Sequence, residues 1–152
     1  MYKIFIPYYL PDLNSGGPAT SIDGIRDLLD EENFKIITQD RGVNGQKLHK
    51  ADWLSNNERV EYVYVTKYLR WLYALRGWKT DVIHLNSALD WTVVLPILLL
   101  NCFVRANRII LSPRGEIVYI NSEHGLSRIA KIAYMNILIS LTVKNVIWHS
   151  TS

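Results

Sequence analysis

The stretch Asp81–Leu111, DVIHLNSALDWTVVLPILLLNCFVRANRIIL, decides the fold. It opens on the short run Asp81–Asn86 (DVIHLN), continues through the apolar segment Leu89–Val104 and closes on Arg108–Leu111 (RIIL). A strand, a helix and a second strand in that order form a unit whose strands lie parallel, joined by a right-handed crossover. The central segment falls short of the ~20 residues that a bilayer-spanning helix requires and is bracketed by Asp90 and Arg105. It is expected as a buried helix.

The same change of period recurs on either side. Lys3–Tyr9 (KIFIPYY), Phe34–Thr38 (FKIIT), Val60–Val65 (VEYVYV) and Asn145–His149 (NVIWH) read as further strands. A helix is expected from Pro18, with Ile22, Ile25, Leu28 and Leu29 on one face. A second runs from Thr66 to about Arg76, and a third over Gly125–Val143. Gln39–Asn57 is polar and is expected as loop. Together these elements predict an α/β fold: a Rossmann-like parallel sheet of about six strands with helices on both faces. The sequence stops at Ser152, directly behind a strand, so the last strand is expected to lack its covering helix.

At 152 residues the chain supplies one domain's core. A composition 49% hydrophobic and 20% charged excludes disordered and low-complexity classes. Lys+Arg 17 against Asp+Glu 14 gives a net charge of +3, which permits phosphate-bearing ligands or anionic lipid surfaces without the basic blocks of a nucleic-acid arm. No nucleic-acid partner is expected. The single cysteine, Cys102, lies in an apolar stretch and is expected as a core thiol in a reducing compartment. Pro7, Pro11 and Asp12 interrupt any secretory leader, which makes a cytoplasmic location the expectation.

In open parallel sheets ligands bind outside the carboxyl ends of the strands, so the following loops are where chemistry belongs. The first, Asn14–Pro18, carries Gly16 and Gly17 ahead of a helix; it suits either a phosphate or carboxylate site or a plain turn. It is not a GxGxxG dinucleotide fingerprint. The second, Leu111–Glu116, projects Arg114 and Glu116 around Gly115. Arg114 is able to grip a phosphate bidentately and Glu116 to accept sugar hydroxyls, or the two pair with each other in solvent.

The third, His84–Ser87, places Asn86 and Ser87 where a ligand hydroxyl would sit, while His84 is expected as a hydrogen-bonded core residue. His149 is similarly placed; His49 and His124 need no role. CxxC, HExxH, Walker and GxSxG patterns are absent, so no metal or cofactor is expected, and catalytic residues are not assigned. Lys67–Lys79 mixes basic and aromatic residues. It suits an anionic membrane surface, but its face of Tyr68, Trp71, Leu72 and Leu75 equally suits packing on a sheet, which is the expectation taken.

Taken in order, Pro7–Leu29 (PYYLPDLNSGGPATSIDGIRDLL), Asp81–Asn101 (DVIHLNSALDWTVVLPILLLN), Ile109–Ile117 (IILSPRGEI) and Val146–Ser152 (VIWHSTS) resemble the N-terminal half of GT-B glycosyltransferases of family four. The resemblance covers nearly the whole chain. It implies residues 1–152 as a Rossmann-like acceptor-binding domain, one half of a GT-B fold, whose donor-binding C-terminal domain is not in this sequence. It further implies retaining transfer of a sugar from a nucleotide-sugar to a polysaccharide, lipopolysaccharide or lipid-linked acceptor, without a metal. Gly16, Gly17 and Arg114 would then face the donor phosphates and sugar, and Asn86, Ser87, Gly115 and Glu116 the acceptor. The missing half would be supplied in cis or in trans, the chain alone would be inactive, and the enzyme would be cytoplasmic with peripheral contact to the inner face of the membrane. The alternative is a standalone glycan- or phosphate-binding module or partner subunit.

Overall fold

The computed structural model describes residues 1–9, 20–22, 24, 34–47, 61–113, 126–142 and 145–149. Six strands, β1 (Tyr2–Phe5), β2 (Phe34–Gln39), β3 (Glu61–Val65), β4 (Val82–Leu85), β5 (Arg108–Leu111) and β6 (Val146–Trp148), form one sheet in the order β3-β2-β1-β4-β5-β6. Every pairing is parallel. The described helices are α1 (Leu72–Leu75), α2 (Trp91–Phe103) and α3 (Leu126–Leu141), with residues 20–22 and 24 also helical. This is the expected Rossmann-like α/β fold, with strand ends shifted by a few residues.

Register and alternation divide the core. Ile4, Ile36 and His84 stand in one row, and Phe5, Ile37 and Leu85 in the next. Phe5, Ile37, Ile83, Leu85, Ile109 and Leu111 face α2 and α3, where Val93, Val94, Ile97, Leu98 and Leu138 close the main core. Complete burial of each such aliphatic side chain stabilises the fold by roughly 1.5–3 kcal/mol. Ile4, Phe34 and Ile36 point to the opposite side. Ile22, among the helical residues between β1 and β2, is buried as well.

In α2 the buried positions Val93, Ile97 and Asn101, with Val94 and Leu98, form a stripe at helical spacing. The Asn101 carboxamide oxygen accepts from the Ala106 backbone N–H at 2.8 Å and turns the chain toward β5. Burial stops there: Cys102 is exposed, with Phe103 beside it 85% exposed. The expected core thiol is therefore corrected to a surface one, because the last turn of this uniformly apolar helix runs past the contact with the sheet.

A second correction concerns Lys67–Lys79. Leu69, Leu72, Tyr73 and Ala74 donate their backbone N–H groups to residues three back, not four. The chain thus enters the one α-helical turn Leu72–Leu75 through tighter turns, instead of running as a single helix from Thr66. Tyr68, Leu72 and Leu75 are exposed, Trp71 packs against the core as expected, and Arg70, Ala74 and Trp78 are buried. Trp78 is fixed by its indole N–H, which donates to the Val104 carbonyl at 2.7 Å.

Within the expected loop Gln39–Asn57, Gln39 belongs to β2, and Arg41 and Lys47 form an antiparallel bridge around Gly45, whose φ is 78°. At the far edge of the sheet β6 leaves Ile147 and Trp148 exposed. No described helix is long and apolar enough to cross a membrane.

Candidate functional site at the carboxyl ends of the strands

The strand order reverses direction at β1 and β4, which are neighbours although β2 and β3 intervene in the chain. The connections diverge there and leave a crevice between the loops that follow the two strands. A cleft of about 180 Å³ opens at this point, lined by Tyr8, Gln39, Lys67, Ser87, Asp90 and Trp91 with Arg70 at its base.

Arg70 is fully buried and joins three segments. Its Nη1 donates to the Ile6 carbonyl beyond β1 at 3.1 Å, and Nη2 lies 2.8 Å from Asp90 Oδ2. Nη2 also donates to Thr92 Oγ1 at 3.3 Å, while the Thr92 hydroxyl donates to Asp90 Oδ1 at 2.7 Å. Burial pulls the Arg70 guanidinium below its ordinary value, against the charge and hydrogen bond of Asp90. It still remains cationic at neutral pH. Asp90 sits at the N-cap of α2 but makes no capping hydrogen bond, because its carboxylate is committed to Arg70 and Thr92.

The pair thus forms the floor of the cleft and leaves other groups to meet a ligand. Lys67 is exposed beside the Tyr68 ring, with Nζ 6.0 Å from its centroid. Trp91 is 52% exposed and Tyr8 36%. Two exposed aromatic rings, a cation, a serine hydroxyl and a carboxamide suit a polar ligand with flat apolar faces and an anionic group.

A line of polar side chains crosses the sheet nearby. The Tyr2 hydroxyl lies 3.0 Å from His84 Nδ1, His84 Nε2 2.8 Å from Ser112 Oγ, and Ser112 Oγ 3.2 Å from His149 Nδ1. His84 and Ser112 are buried, as the core reading of His84 expected. Burial raises the Tyr2 phenol above its usual value, so it stays protonated. Both histidines thus hold the Ser112 hydroxyl, directly behind β5.

A larger cavity of about 570 Å³ lies at the opposite, amino ends of the strands, among Lys3, Lys35, Leu72, Tyr73, Arg76 and Asp81. Part of its charge is satisfied internally: Lys3 Nζ is 2.7 Å from Asp81 Oδ2 and also donates to the Arg76 carbonyl. Burial pushes the Asp81 carboxyl up, but hydrogen bonds from Lys3 and Thr80, with the charges of Lys3 and the amino terminus, outweigh it and leave it below the usual aspartate value. Gly77, at φ 78°, borders this pair, and a methyl group there would collide with the Asp81 carboxylate. Despite its size this cavity lies away from the crevice where parallel sheets bind ligands, so the smaller cleft is the better candidate.

Of the residues singled out in the sequence, Ser87 lines the cleft and Asn86 is buried directly before it, its backbone N–H donating to the Phe5 carbonyl at 2.9 Å. Gly16, Gly17, Arg114, Gly115 and Glu116, like His49 and His124, lie outside the described residues. Sequence reasoning missed Arg70, Asp90, Lys67, Tyr8, Gln39 and Trp91. Arg70 and Lys67 stood inside a segment legible only as amphipathic, and no local spacing announces a partner 20 residues away. Among the described residues no group of three or more His, Cys, Asp or Glu side chains is gathered to hold a metal ion. Comparison with protein-family models, curated proteins and solved structures returns no match.

Proposed function

We propose that this chain is the acceptor-side half of a retaining GT-B glycosyltransferase that moves a sugar from a nucleotide-sugar onto a polysaccharide, lipopolysaccharide or lipid-linked acceptor. The observation that carries the reading is the cleft at the β1/β4 reversal, with Trp91 and Tyr8 at its mouth and Ser87 and Gln39 within it. Aromatic faces and neutral polar groups are what a glycan needs, the rings covering its C–H surfaces and the amide and hydroxyl its oxygens. The ordered resemblance of the loops at Gly16–Gly17 and Ser112–Glu116 supports it further.

In this reading the acceptor lies over Ser87 and Trp91. Gly16 and Gly17 let the backbone approach the donor, and Arg114 meets the donor diphosphate. The sugar–phosphate bond breaks as the new glycosidic bond forms, and Arg114 stabilises the negative charge that builds on the leaving phosphate. Gly115 and Glu116 border the acceptor. A partner domain, in cis or in trans, supplies most of the nucleotide contacts, and the reaction takes place in the cytoplasm.

The test is transfer of labelled sugar from UDP- and GDP-sugars into glycan and lipid fractions by this chain with and without its donor-binding half. Activity only with both halves, lost on Arg114→Ala, is the expected result. Turnover by the 152-residue chain alone, or full activity of Arg114→Ala, overturns it.

A further inference from the structure

We propose that the cavity of about 570 Å³ at the amino ends of the strands is a second ligand site, built for a small soluble phosphomonoester whose body is flat and apolar. It shares no lining residue with the cleft at the β1/β4 reversal, and it stands whether or not the chain transfers sugar.

Lys3 in β1 and Lys35 in β2 are direct partners in the parallel register, on the side of the sheet that Phe5 and Ile37 occupy two residues further on. They are only 2% and 9% exposed. A lysine is seldom buried, and like charges directly opposite one another on neighbouring strands repel. Aliphatic residues at these two positions would extend the core of Phe5 and Ile37 without that cost. Two cations kept under cover side by side are the kind of local conflict that proteins carry at functional sites.

Their charge is answered only in part. Among the described residues Asp81 is the one carboxylate lining the cavity, 2.7 Å from Lys3 Nζ and 3.4 Å from the Met1 amine. Glu61 stands opposite Lys35 in the register of β2 and β3. Set against Lys3, Lys35, Arg76 and the Met1 amine, these two carboxylates leave a positive surplus. The Arg76 side chain lines the cavity, is exposed, and has no ion-pair partner among the described residues. Its backbone is held from the cavity floor, because the ammonium of Lys3 that meets Asp81 also donates to the Arg76 carbonyl. An ammonium has three donors, so a lysine with one partner keeps others for a ligand.

The surplus identifies the ligand as an anion, and the mixture of cations narrows it. Arg76 offers a planar fork that meets two phosphate oxygens at once, and the lysines offer point charges for a dianion. Leu72 and Tyr73 line the same space and present an aliphatic and an aromatic face to the rest of the molecule. The volume falls within the range of about 300–1,000 Å³ found for small-molecule pockets and far exceeds what a bare phosphate fills.

Calorimetric titration of the whole chain with phenyl phosphate tests this. One molecule bound per chain is expected, with an affinity that falls as salt is added and a melting temperature that rises at saturation. Inorganic phosphate, which lacks the ring, and benzoate, which carries a single negative charge, should each bind about tenfold more weakly or worse. Arg76→Gln and Lys35→Met should each weaken phenyl phosphate binding by about tenfold or more, as loss of one charge-assisted hydrogen bond does. Circular dichroism of the ligand-free variants establishes that the fold survives, and Arg76→Gln, a change at an exposed side chain, serves if Lys35→Met does not fold. Absence of phenyl phosphate binding, equal affinity for inorganic phosphate or benzoate, or equal binding by variants that retain the fold overturns the proposal. So does binding that is lost in Lys67→Ala and kept in Arg76→Gln, which would move the anion to the cleft.

Discussion

Arg70 and Asp90 stand 20 residues apart in sequence and meet with Nη2 3.0 Å from Oδ1 and 2.8 Å from Oδ2, both side chains almost wholly withdrawn from solvent. One guanidinium therefore holds together the end of β1, the segment before α1 and the start of α2. Removing either partner alone strands a charge in the interior. Arg70→Met and Asp90→Leu should each destabilise the protein by about 3–5 kcal/mol, and the double variant by much less than their sum. Urea denaturation of the four forms measures this, and additive losses would refute the coupling.

The Lys3–Asp81 pair sets an acid limit to stability. The folded-state value of Asp81 lies below that of the unfolded chain. Its contribution is therefore fully present above the unfolded value and is lost as pH falls through the folded one. Melting temperature should decline on acidification through the carboxylate range, and Asp81→Asn should flatten that part of the profile while lowering stability at neutral pH.

Gly77→Ala should destabilise by about 1–3 kcal/mol, since φ 78° disfavours any side chain and the new methyl meets the Asp81 carboxylate. A Gly77→Ala/Asp81→Ala variant removes the collision but keeps the backbone penalty. Thermal melts of the wild type, Gly77→Ala, Asp81→Ala and the double variant separate the two causes, the Asp81→Ala form correcting for loss of the Lys3 ion pair.

His84→Leu breaks the line from Tyr2 to Ser112 in a buried position and should cost about 1–3 kcal/mol. Ser112→Ala cuts the same line at its centre. Under the proposed function both should also lower transfer by the complete enzyme, because Ser112 stands two residues before Arg114 in the chain. Unchanged transfer rates in folded variants would detach this line from the reaction.

Trp91→Ala should raise the KM for a glycan acceptor by about tenfold while leaving kcat within a few-fold, as expected for a residue that binds ground and transition states alike. A fall in kcat at constant KM would instead place Trp91 against the reacting sugar.

The strands were readable because alternating apolar residues leave few choices of register: FKIIT read as a strand, and Phe34–Gln39 is buried along its whole length. The βαβ order then forced parallel pairing, and with it a crevice at the carboxyl ends. What stayed hidden depended on winding and on distant partners. The segment around Trp71 reads as one helix at 3.6 residues per turn, whereas its entry is wound three residues back and only Leu72–Leu75 is α-helical, so Leu72 and Leu75 lie exposed while Trp71 keeps its place on the core. Arginine 70 resembled any surface cation, since its burial follows from a carboxylate on another element. Ser87 emerged at the cleft because a strand end fixes its place.

The central position of β1 has a consequence for how the protein is made. It pairs with β2 on one side, but Tyr2 and Phe5 find Val82 and Leu85 on the other only after that much more chain has emerged. At ~5–20 residues per second, one edge of the middle strand waits open for several seconds on the ribosome. Such widely separated pairings slow folding and leave apolar Ile4 and Phe5 open to foreign strands in the meantime. The step that ends this exposure is the arrival of β4, whose docking also delivers the loop ending at Asp90 to Arg70 and so completes the sheet's centre and the floor of the cleft together.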